Sequence, residues 1–229
     1  MAQYIKQFKT DGIMVLDELS EDKYVTLITK TNNAYYNNKP LMTDNEFDIV
    51  KEYFEKKYPN NPVLNNIGAP ITRNKVSLPY NMPSMDKIKP DTDALDKWMK
   101  KYTGNYVLSC KLDGVSGMYT TENNTQKLYT RGDGTIGQDI THLLPVLKLP
   151  KQENIVVRGE FIMSKTNFEK KYKTKFANSR NLVSGIINSK TLDNKVNDMD
   201  FVAYEVIKPV LRPIEQMKLL EQCGFNTVR

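Results

Sequence analysis

The sequence predicts an α+β protein in which a small helical hairpin domain precedes a larger domain built on antiparallel sheet. Apolar residues recur at helical spacing over residues 20–58. After about residue 104, short runs of β-branched and aromatic residues lie between turn residues. A chain of 229 residues with 39% hydrophobic residues is long enough for one medium-sized domain and one small one. We expect the helical domain over residues 1–70, with a connector to about residue 84, and the sheet domain over residues 71–229.

Two helices are predicted in the first part. Residues 20–36 begin after a serine suited to capping and have acidic residues in the first turn. Thr43 and Glu46 have the spacing of a capping box, in which each side chain satisfies a backbone N–H of the other residue. A second helix is therefore expected from there to about Tyr58, where a proline follows. The proline-rich residues 59–84 are expected to form an extended connector.

Strands and further helices are predicted in the second part. β-branched and aromatic runs between turn residues indicate strands, and a serine or proline at a start indicates a helix. The predicted strands are Tyr106–Leu112, Val115–Thr121, Lys127–Thr130, Ile155–Met163 and Phe201–Ile207, and the predicted helices are Ser164 to about Tyr172, Arg180–Asn188 and Pro213–Gln222.

The composition excludes several kinds of chemistry. A single histidine, His142, and two distant cysteines, Cys110 and Cys223, argue against a histidine-based triad and a zinc centre. The net charge of +6 favours a polyanionic partner. No apolar run approaches the length of a membrane span and no signal-peptide pattern opens the chain, so we expect no membrane partner and an intracellular, cytoplasmic location.

The most informative motifs are Lys-Leu-Asp-Gly at residues 111–114 and Thr-Arg-Gly-Asp-Gly at residues 130–134. A lysine is a nucleophile only when its amine is unprotonated, so Lys111 is expected to be desolvated or to lie near other cations. The glycine-rich stretch can bring backbone N–H groups and Arg131 close to a phosphate or a sugar. Asp-Gly is also the commonest hairpin dipeptide, so the first motif taken alone fits a turn between two strands better than a nucleophile.

Two further segments have residues that can bind a nucleotide. Val-Arg-Gly-Glu at residues 157–160 presents Glu160, whose carboxylate could hold a ribose hydroxyl or a magnesium ion. Phe-Ala-Asn-Ser-Arg-Asn at residues 176–181 presents Arg180, which is suited to bidentate phosphate contact. The ordinary alternatives are a glutamate paired with Arg158 at a strand edge and a helix-start arginine on a solvated face.

These four segments, in this order and near this spacing, resemble the NAD-dependent DNA ligases. The helical start is similar to that family's domain for nicotinamide mononucleotide (NMN), and the resemblance runs from about residue 20 to the end. It implies a nucleotidyltransferase domain, ATP-grasp-like and incomplete at its C-terminus. The segments similar to the NMN-binding domain are Tyr35-Tyr36, Asp44-Asn45-Glu46-Phe47-Asp48 and Gly68-Ala69.

The resemblance implies that Lys111 attacks the α-phosphorus of NAD, releases NMN and holds AMP as a phosphoramidate. The AMP then passes to the 5′-phosphate of a nick in duplex DNA, and the 3′-hydroxyl displaces it. Arg131 and Glu160 match positions that hold the ribose, and Arg180 matches a phosphate or nick contact. Mg²⁺ is expected, bound through Glu160 or Asp113. The other implied nucleotide contacts are Asp113 and Gly114 of the lysine motif, Ser84 and Met85 near the adenine, Ser109, and Tyr35, Tyr36, Asp44, Phe47 and Asp48 for NMN.

The chain departs from the family pattern at four positions, which affects specificity and rate more than reaction class. Tyr36 replaces a histidine, Phe47 a tyrosine, Ser109 a glutamate and Asn188 an arginine. A serine can still make one hydrogen bond to an adenine, but with a shorter reach. Asp44 is also a residue that the helix dipole alone favours in a first turn.

The family continues beyond the equivalent of Arg229 with an Asp-Gly-x-Val-x-Lys strand and an OB-fold. We therefore expect either a truncated piece or, slightly favoured, one subunit of a split ligase whose second polypeptide supplies the rest. Two other hypotheses remain open at this point. The chain could be an ATP-dependent lysine nucleotidyltransferase, or a fragment that binds nucleotide or DNA without catalysis.

Overall fold

The computed structural model describes residues 2–36, 41–65, 74–86, 88, 92–176, 178–189, 192 and 194–228. It confirms the predicted mixture of helix and sheet: helices form the first part of the chain, and a sheet with helices packed against it forms the second. Two separate apolar cores follow this order. One lies among residues 5–64, and the other lies among residues 115–225.

The helical part is larger than the sequence analysis predicted. Both predicted helices are confirmed, but two more precede them and add Phe8 and Leu16 to the same core. At its centre the buried Tyr24 ring lies 4.9 Å from the Phe54 ring, and the Tyr24 hydroxyl donates to the Val50 carbonyl at 3.2 Å. The helices are Ala2–Asp11 (α1), Met14–Asp17 (α2), Glu21–Tyr36 (α3) and Asp44–Lys57 (α4).

Polar contacts at helix ends hold this part together. The predicted capping box at the start of α4 is present: the Glu46 N–H donates to the Thr43 hydroxyl at 3.2 Å, and the Thr43 N–H donates to the Glu46 carboxylate at 2.7 Å. At the other end of α4, the Lys57 amine donates to the Asp17 carbonyl at 2.8 Å. This contact satisfies a carbonyl that has no partner within the last turn of α2.

The main sheet is formed by Val115–Thr120 (β2), Lys127–Thr130 (β3), Val156–Met163 (β5), Met199–Lys208 (β6) and Asn226–Thr227 (β7). In the described part of the chain its strand order is β3-β2-β5-β6-β7. All neighbours are antiparallel except β6 and β7, which are parallel. The predicted strands β2, β3, β5 and β6 are confirmed to within two residues at each end.

A small second sheet lies inside the predicted connector. Lys75–Ser77 (β1) pairs antiparallel with Ile136–Gln138 (β4), so the expectation of a purely extended connector was wrong there. Residues 62–65 of the same stretch form a 3-10 turn. The chain after β1 follows the sheet through backbone bonds from Leu78 and Met82 to the loop before β4.

The helices of the sheet part are Ala94–Lys101 (α5), Leu144–Leu147 (α6), Lys165–Lys171 (α7), Ser179–Ile187 (α8) and Pro213–Gln222 (α9). The three helices predicted from capping residues, α7, α8 and α9, are confirmed. Ser164 caps α7 by accepting from the Asn167 N–H at 3.2 Å. Helices α6, α8 and α9 cover one face of the sheet and enclose its main core.

A pair of glycines lies under the aromatic rings of this core. Gly117 of β2 and Gly159 of β5 are directly opposite each other in the ladder. A β-carbon on Gly117 would meet the Phe161 ring at 2.2 Å, and one on Gly159 would meet the Phe201 ring at 2.5 Å. The two rings are 5.0 Å apart, so they occupy space that any larger residue at these positions would need.

The predictions for residues 92–114 were wrong. The expected strand Tyr106–Leu112 is not a strand, because no described residue pairs with it in a ladder. Helix α5 was not predicted, although Leu95, Trp98 and Met99 have helical spacing. No residue of α5 is buried, and the Trp98 ring packs against two tyrosines of the same stretch, at 5.0 Å from the Tyr106 ring.

Thr43→Ala is expected to destabilise the helical part by about 1 kcal/mol, because it removes the side-chain acceptor of the capping box. The measurement is the urea midpoint followed by circular dichroism. Thr26→Ala is the matched control: Thr26 lies on the exposed face of α3 and donates only to the Asp22 carbonyl at 2.8 Å. We expect it to be close to neutral, since alanine favours helix. Equal midpoints for Thr43→Ala and the unmodified chain would contradict the capping role.

Candidate active site

Lys111 lies in the stretch between α5 and β2, and its side chain is exposed. Of the two surroundings expected for Lys111, desolvation and neighbouring cations, desolvation is therefore not seen in the described residues. Gly114 explains how the lysine motif is held. A β-carbon there would lie 2.0 Å from the Phe161 carbonyl oxygen, so only glycine lets the chain pass this close to β5.

Arg180 and Asp113 form an ion pair beside Lys111. The Arg180 Nη1 lies 3.1 Å from the Asp113 Oδ1. Arg180 stands in the first turn of α8, whose start is fixed by Asn178: its side-chain oxygen accepts from the Asn181 N–H at 2.7 Å. Arg180 thus lies at a helix start, as the ordinary alternative also expected, but it is paired with a carboxylate there.

Glu160 lies at the centre of the site and is only 7% exposed. The ladder of β2 and β5 places Ser116 opposite it, and the Ser116 hydroxyl donates to the Glu160 carboxylate at 2.9 Å. Burial raises the pKa of Glu160. The Ser116 hydrogen bond and the positive charges of Arg180, Lys111 and Arg131 oppose this rise. These three cations, from three separate segments, therefore lie close enough to act on one buried carboxyl.

Tyr204 belongs to the same site and was missed by the sequence analysis. Burial raises its pKa to about 12, with a smaller contribution from the charge of Glu160. The pattern of β6 offered a signal. Phe201 and Ala203 face the main core, so the strand alternation puts Tyr204 on the opposite face, where Ser116 and Glu160 lie.

The loop between β3 and β4 positions Arg131. Its turn is closed by Asp133, whose Oδ1 accepts from the Thr135 and Ile136 N–H groups at 2.8 and 2.7 Å. Burial raises the pKa of Asp133, but these hydrogen bonds outweigh burial and hold it below its usual range. The Arg131 N–H donates to the Ser116 carbonyl at 3.0 Å, which fixes the loop to β2. The Arg131 side chain donates to the Ser84 hydroxyl at 3.2 Å.

Residues 78–84 form a strap over the face of the sheet that holds the site. Met82 is buried against Met118 and Val156, and its N–H donates to the Gly134 carbonyl at 2.8 Å. Arg158 joins the strap to the sheet, a role that the sequence analysis did not foresee.

The Arg158 guanidinium binds on two sides. Its Nη1 lies 2.9 Å from the Glu205 carboxylate on the neighbouring strand β6, and its Nη2 donates to the Asn81 carbonyl. One alternative proposed that Arg158 pairs with Glu160. The structure contradicts it, because Arg158 binds Glu205 and the Asn81 carbonyl. Its fork spans β6 and the strap, and the strap in turn presents Ser84 to Arg131.

Several predicted site residues lie outside this convergence. Met85 and Ser109 are exposed and are held by no contact that the described residues show. Phe47 is half-buried and packs against the helical core. Asn188 ends α8, where its side-chain amide donates to the Ser184 carbonyl at 2.9 Å. Tyr35, Tyr36, Asp44 and Asp48 belong to α3 and α4, but their side chains, like Gly68 and Ala69, lie outside the described part of the chain.

No group of three histidine, cysteine, aspartate or glutamate side chains that could hold a metal ion occurs among the described residues. Asp113 is the accessible carboxylate of the site, with one oxygen on Arg180. Such a site fits a magnesium ion that substrate phosphates hold together with one carboxylate, and not a protein-built cage. In the described helices, none is long and apolar enough to cross a membrane.

The chain is similar in sequence to a known protein family and to several known proteins. Residues 73–229 match the family described as NAD-dependent DNA ligase adenylation domain. A DNA ligase of Acanthamoeba polyphaga mimivirus is 45% identical over 208 residues, covering 86% of this chain and 32% of the relative. A putative DNA ligase of Invertebrate iridescent virus 6 is 35% identical, covering 92% and 36%. A DNA ligase of Shewanella baltica is 32% identical, covering 79% and 30%. The chain thus spans about a third of the length of these relatives.

Glu160→Gln is expected to stabilise the fold at neutral pH and to lose this advantage as the pH falls. Because burial raises the pKa of Glu160, the folded protein binds this proton more tightly than the unfolded chain does. The ionised carboxyl therefore costs stability above the raised pKa, and this cost disappears as the pH falls to the ordinary value of 4.5.

Urea midpoints between about pH 4.5 and pH 8 measure this difference, with Glu153→Gln at an exposed turn as the control. A glutamine can still accept from the Ser116 hydroxyl. A stability difference that grows on acidification would contradict a destabilising buried carboxylate.

Arg158→Lys is expected to loosen the strap while keeping the positive charge. A lysine amine cannot bind Glu205 and the Asn81 carbonyl in the geometry of the guanidinium fork. Loss of one hydrogen bond of about 1 kcal/mol corresponds to roughly fivefold faster amide exchange at Met82. Hydrogen exchange of the peptide spanning residues 78–86 measures it, with Arg212→Lys at the start of α9 as the control. Unchanged exchange in this peptide would show that Arg158 does not hold the strap.

Proposed function

The chain belongs to the NAD-dependent DNA ligase family, and from this premise we propose that it takes AMP from NAD onto Lys111 and passes it to nicked duplex DNA. The observation that supports this best is the convergence of Lys111, Arg131 and Arg180 on the buried Glu160. Three cations from three separate segments suit the negative charge of a bound dinucleotide. A lysine among them is the group that can form a covalent bond to phosphorus.

The first proposed step joins the Lys111 Nζ to the α-phosphorus of NAD. The bond from this phosphorus to the bridging oxygen breaks, NMN leaves with that oxygen, and the ammonium proton of the lysine is lost. Positive charge from Arg131 and Arg180 is proposed to stabilise the phosphoryl oxygens. In the second step a 5′-phosphate oxygen displaces the lysine from phosphorus. In the third step the 3′-hydroxyl attacks the 5′-phosphorus and expels AMP.

The roles of the other residues follow their places around Glu160. Glu160 and Arg131 are proposed to hold the ribose, with Ser84 reaching the nucleotide from the strap. Asp113 orients Arg180 toward a phosphate through their 3.1 Å ion pair. Bound Mg²⁺, held by substrate phosphates and by Asp113 or Glu160, would neutralise phosphate charge. The remaining proposed contacts are Met85, Ser109 and Gly114 for the adenylate, and Tyr35, Tyr36, Asp44, Phe47 and Asp48 for NMN.

We propose that residues 1–70 form the NMN-binding domain and residues 71–229 most of the adenylation domain. The two separate cores support a division of this kind. The DNA substrate implies action in the cytoplasm of a bacterial or infected host cell.

Further protein is proposed to cover the exposed side of Lys111. The stretch before it holds apolar residues in contact with solvent: Leu95, Met99 and Tyr102 are nearly half exposed and Leu108 is 92% exposed. The alternating residues 106–112 also lack a ladder partner in the described part of the chain. A strand of a second polypeptide, or of a longer form of this chain, would cover these residues and desolvate the amine. Exposure of Lys111 also favours the alternative that the chain alone binds nucleotide without reacting.

Lys111→Arg is expected to abolish self-adenylation, since the guanidinium keeps the charge but cannot act as the nucleophile. The measurement is intact mass after incubation with NAD and Mg²⁺, where the unmodified chain gains the mass of AMP. Lys101→Arg, at the end of α5, is the matched control and should still gain it.

An adduct on Lys111→Arg would place the reaction elsewhere, and an adduct formed from ATP but not from NAD would overturn the assignment of NAD. No adduct on any variant, with nucleotide binding retained, would support the binding fragment.

A further inference from the structure

Positive charge is concentrated on one short surface outside the site. Residues 165–175, which comprise α7 and the turn after it, hold five lysines and one glutamate. Their net charge of +4 is two thirds of the +6 of the whole chain. We call this the α7 lysine surface. Its members, all exposed, are Lys165, Lys170, Lys171, Lys173 and Lys175.

Aromatic side chains behind the α7 lysine surface pack against the main core. Phe168, Tyr172 and Phe176 pack against the main core, and the Tyr172 and Phe176 rings meet edge to face at 6.4 Å. These contacts attach α7 to the protein, so the lysines lie on a folded element and not on a free tail. A folded element loses less backbone entropy on binding a polyanion than a flexible tail does.

Among the described residues, the acidic side chain in contact with this surface is that of Asp198. Asp198 accepts from the Lys171 amine at 2.6 Å and from the Tyr172 hydroxyl at 2.5 Å. These contacts hold the pKa of Asp198 below its usual range, so it stays ionised and neutralises Lys171. The other four lysines have no ion pair with any residue in the described ranges. Their charge remains available to a partner.

The α7 lysine surface is close in the chain to the candidate active site. Lys175 and Arg180 are five positions apart, so their Cα atoms are at most about 18 Å apart. Arg180 in turn contacts Asp113, two residues from Lys111. A distance of ~18 Å along a duplex is about five base pairs. Lys175 is thus within about five base pairs of a phosphate bound at Arg180.

We propose that the α7 lysine surface binds the phosphate backbone of duplex DNA beside the nick, an inference that rests on the proposed ligase function. Lysine amines act as point charges toward phosphate, and such contacts position a duplex without reading its sequence. The surface therefore contributes affinity for any duplex, in a manner that weakens steeply with salt.

The test compares two variants that lose the same charge. Lys170→Gln/Lys173→Gln/Lys175→Gln removes three members of the surface but leaves the contact between Lys171 and Asp198. The matched control is Lys56→Gln/Lys151→Gln/Lys218→Gln, which removes three exposed lysines elsewhere. Affinity for a fluorescent nicked duplex is measured by anisotropy at several salt concentrations. The NAD-dependent mass gain is measured on the same samples.

The surface variant is expected to bind the nicked duplex about tenfold or more weakly, and its salt slope to fall by roughly 2 to 3. The control variant should bind like the unmodified chain. The proposal is overturned if all three proteins bind the duplex with equal affinity or if both variants lose the same affinity. It is also overturned if the unmodified chain does not bind the duplex at low salt. Retained DNA binding with lost binding of polyglutamate would overturn it too, and would assign the surface to an acidic protein. The mass gain from NAD should be the same in all three proteins. If it is absent from all three, the proposed ligase function is wrong, whatever the DNA affinities show.

Discussion

The antiparallel pairing of β2 with β5 is the interaction on which the rest of the site depends. It places Ser116 opposite Glu160 and buries a carboxylate on the face of the sheet away from the main core. A buried negative charge is costly unless positive groups and hydrogen bonds surround it. Lys111, Arg131 and Arg180 come from three separate segments and supply that charge. Their charges reduce the cost of burying Glu160 but do not remove it, since the pKa of Glu160 stays raised.

Much of the fold could be predicted because its signals are local. The capping box at Thr43 and the serine cap of α7 each specify a helix start within four residues, and both are confirmed. The strand predicted over residues 106–112 failed for a different reason. Its alternating pattern is real, but a strand also needs a partner ladder, which no described residue provides. Helix α5 had a visible apolar period and was overlooked.

The sequence indicated the charged residues of the site, but not the residues that hold them in place. The motifs singled out Lys111, Arg131 and Glu160, and the charges of the two cations act on the Glu160 carboxyl. Their functional roles stay predictions. Arg158 could not be assigned from sequence, because its partners lie 77 residues before it and 47 after it. The solvent exposure of Lys111 was equally beyond sequence, since it depends on what covers the stretch after α5.

Gly117 and Gly159 connect the core of the protein to the site, so substitutions in the core can disturb the site. Each glycine is the immediate chain neighbour of a site residue, Ser116 or Glu160, yet its own surroundings are the rings of Phe161 and Phe201. A larger residue at either glycine would displace Ser116 or Glu160 without removing any group that contacts a ligand. Screens for inactive variants should therefore recover substitutions in the core as readily as substitutions of charged residues. Changes in core residues between relatives can likewise alter the site on the opposite face of the sheet.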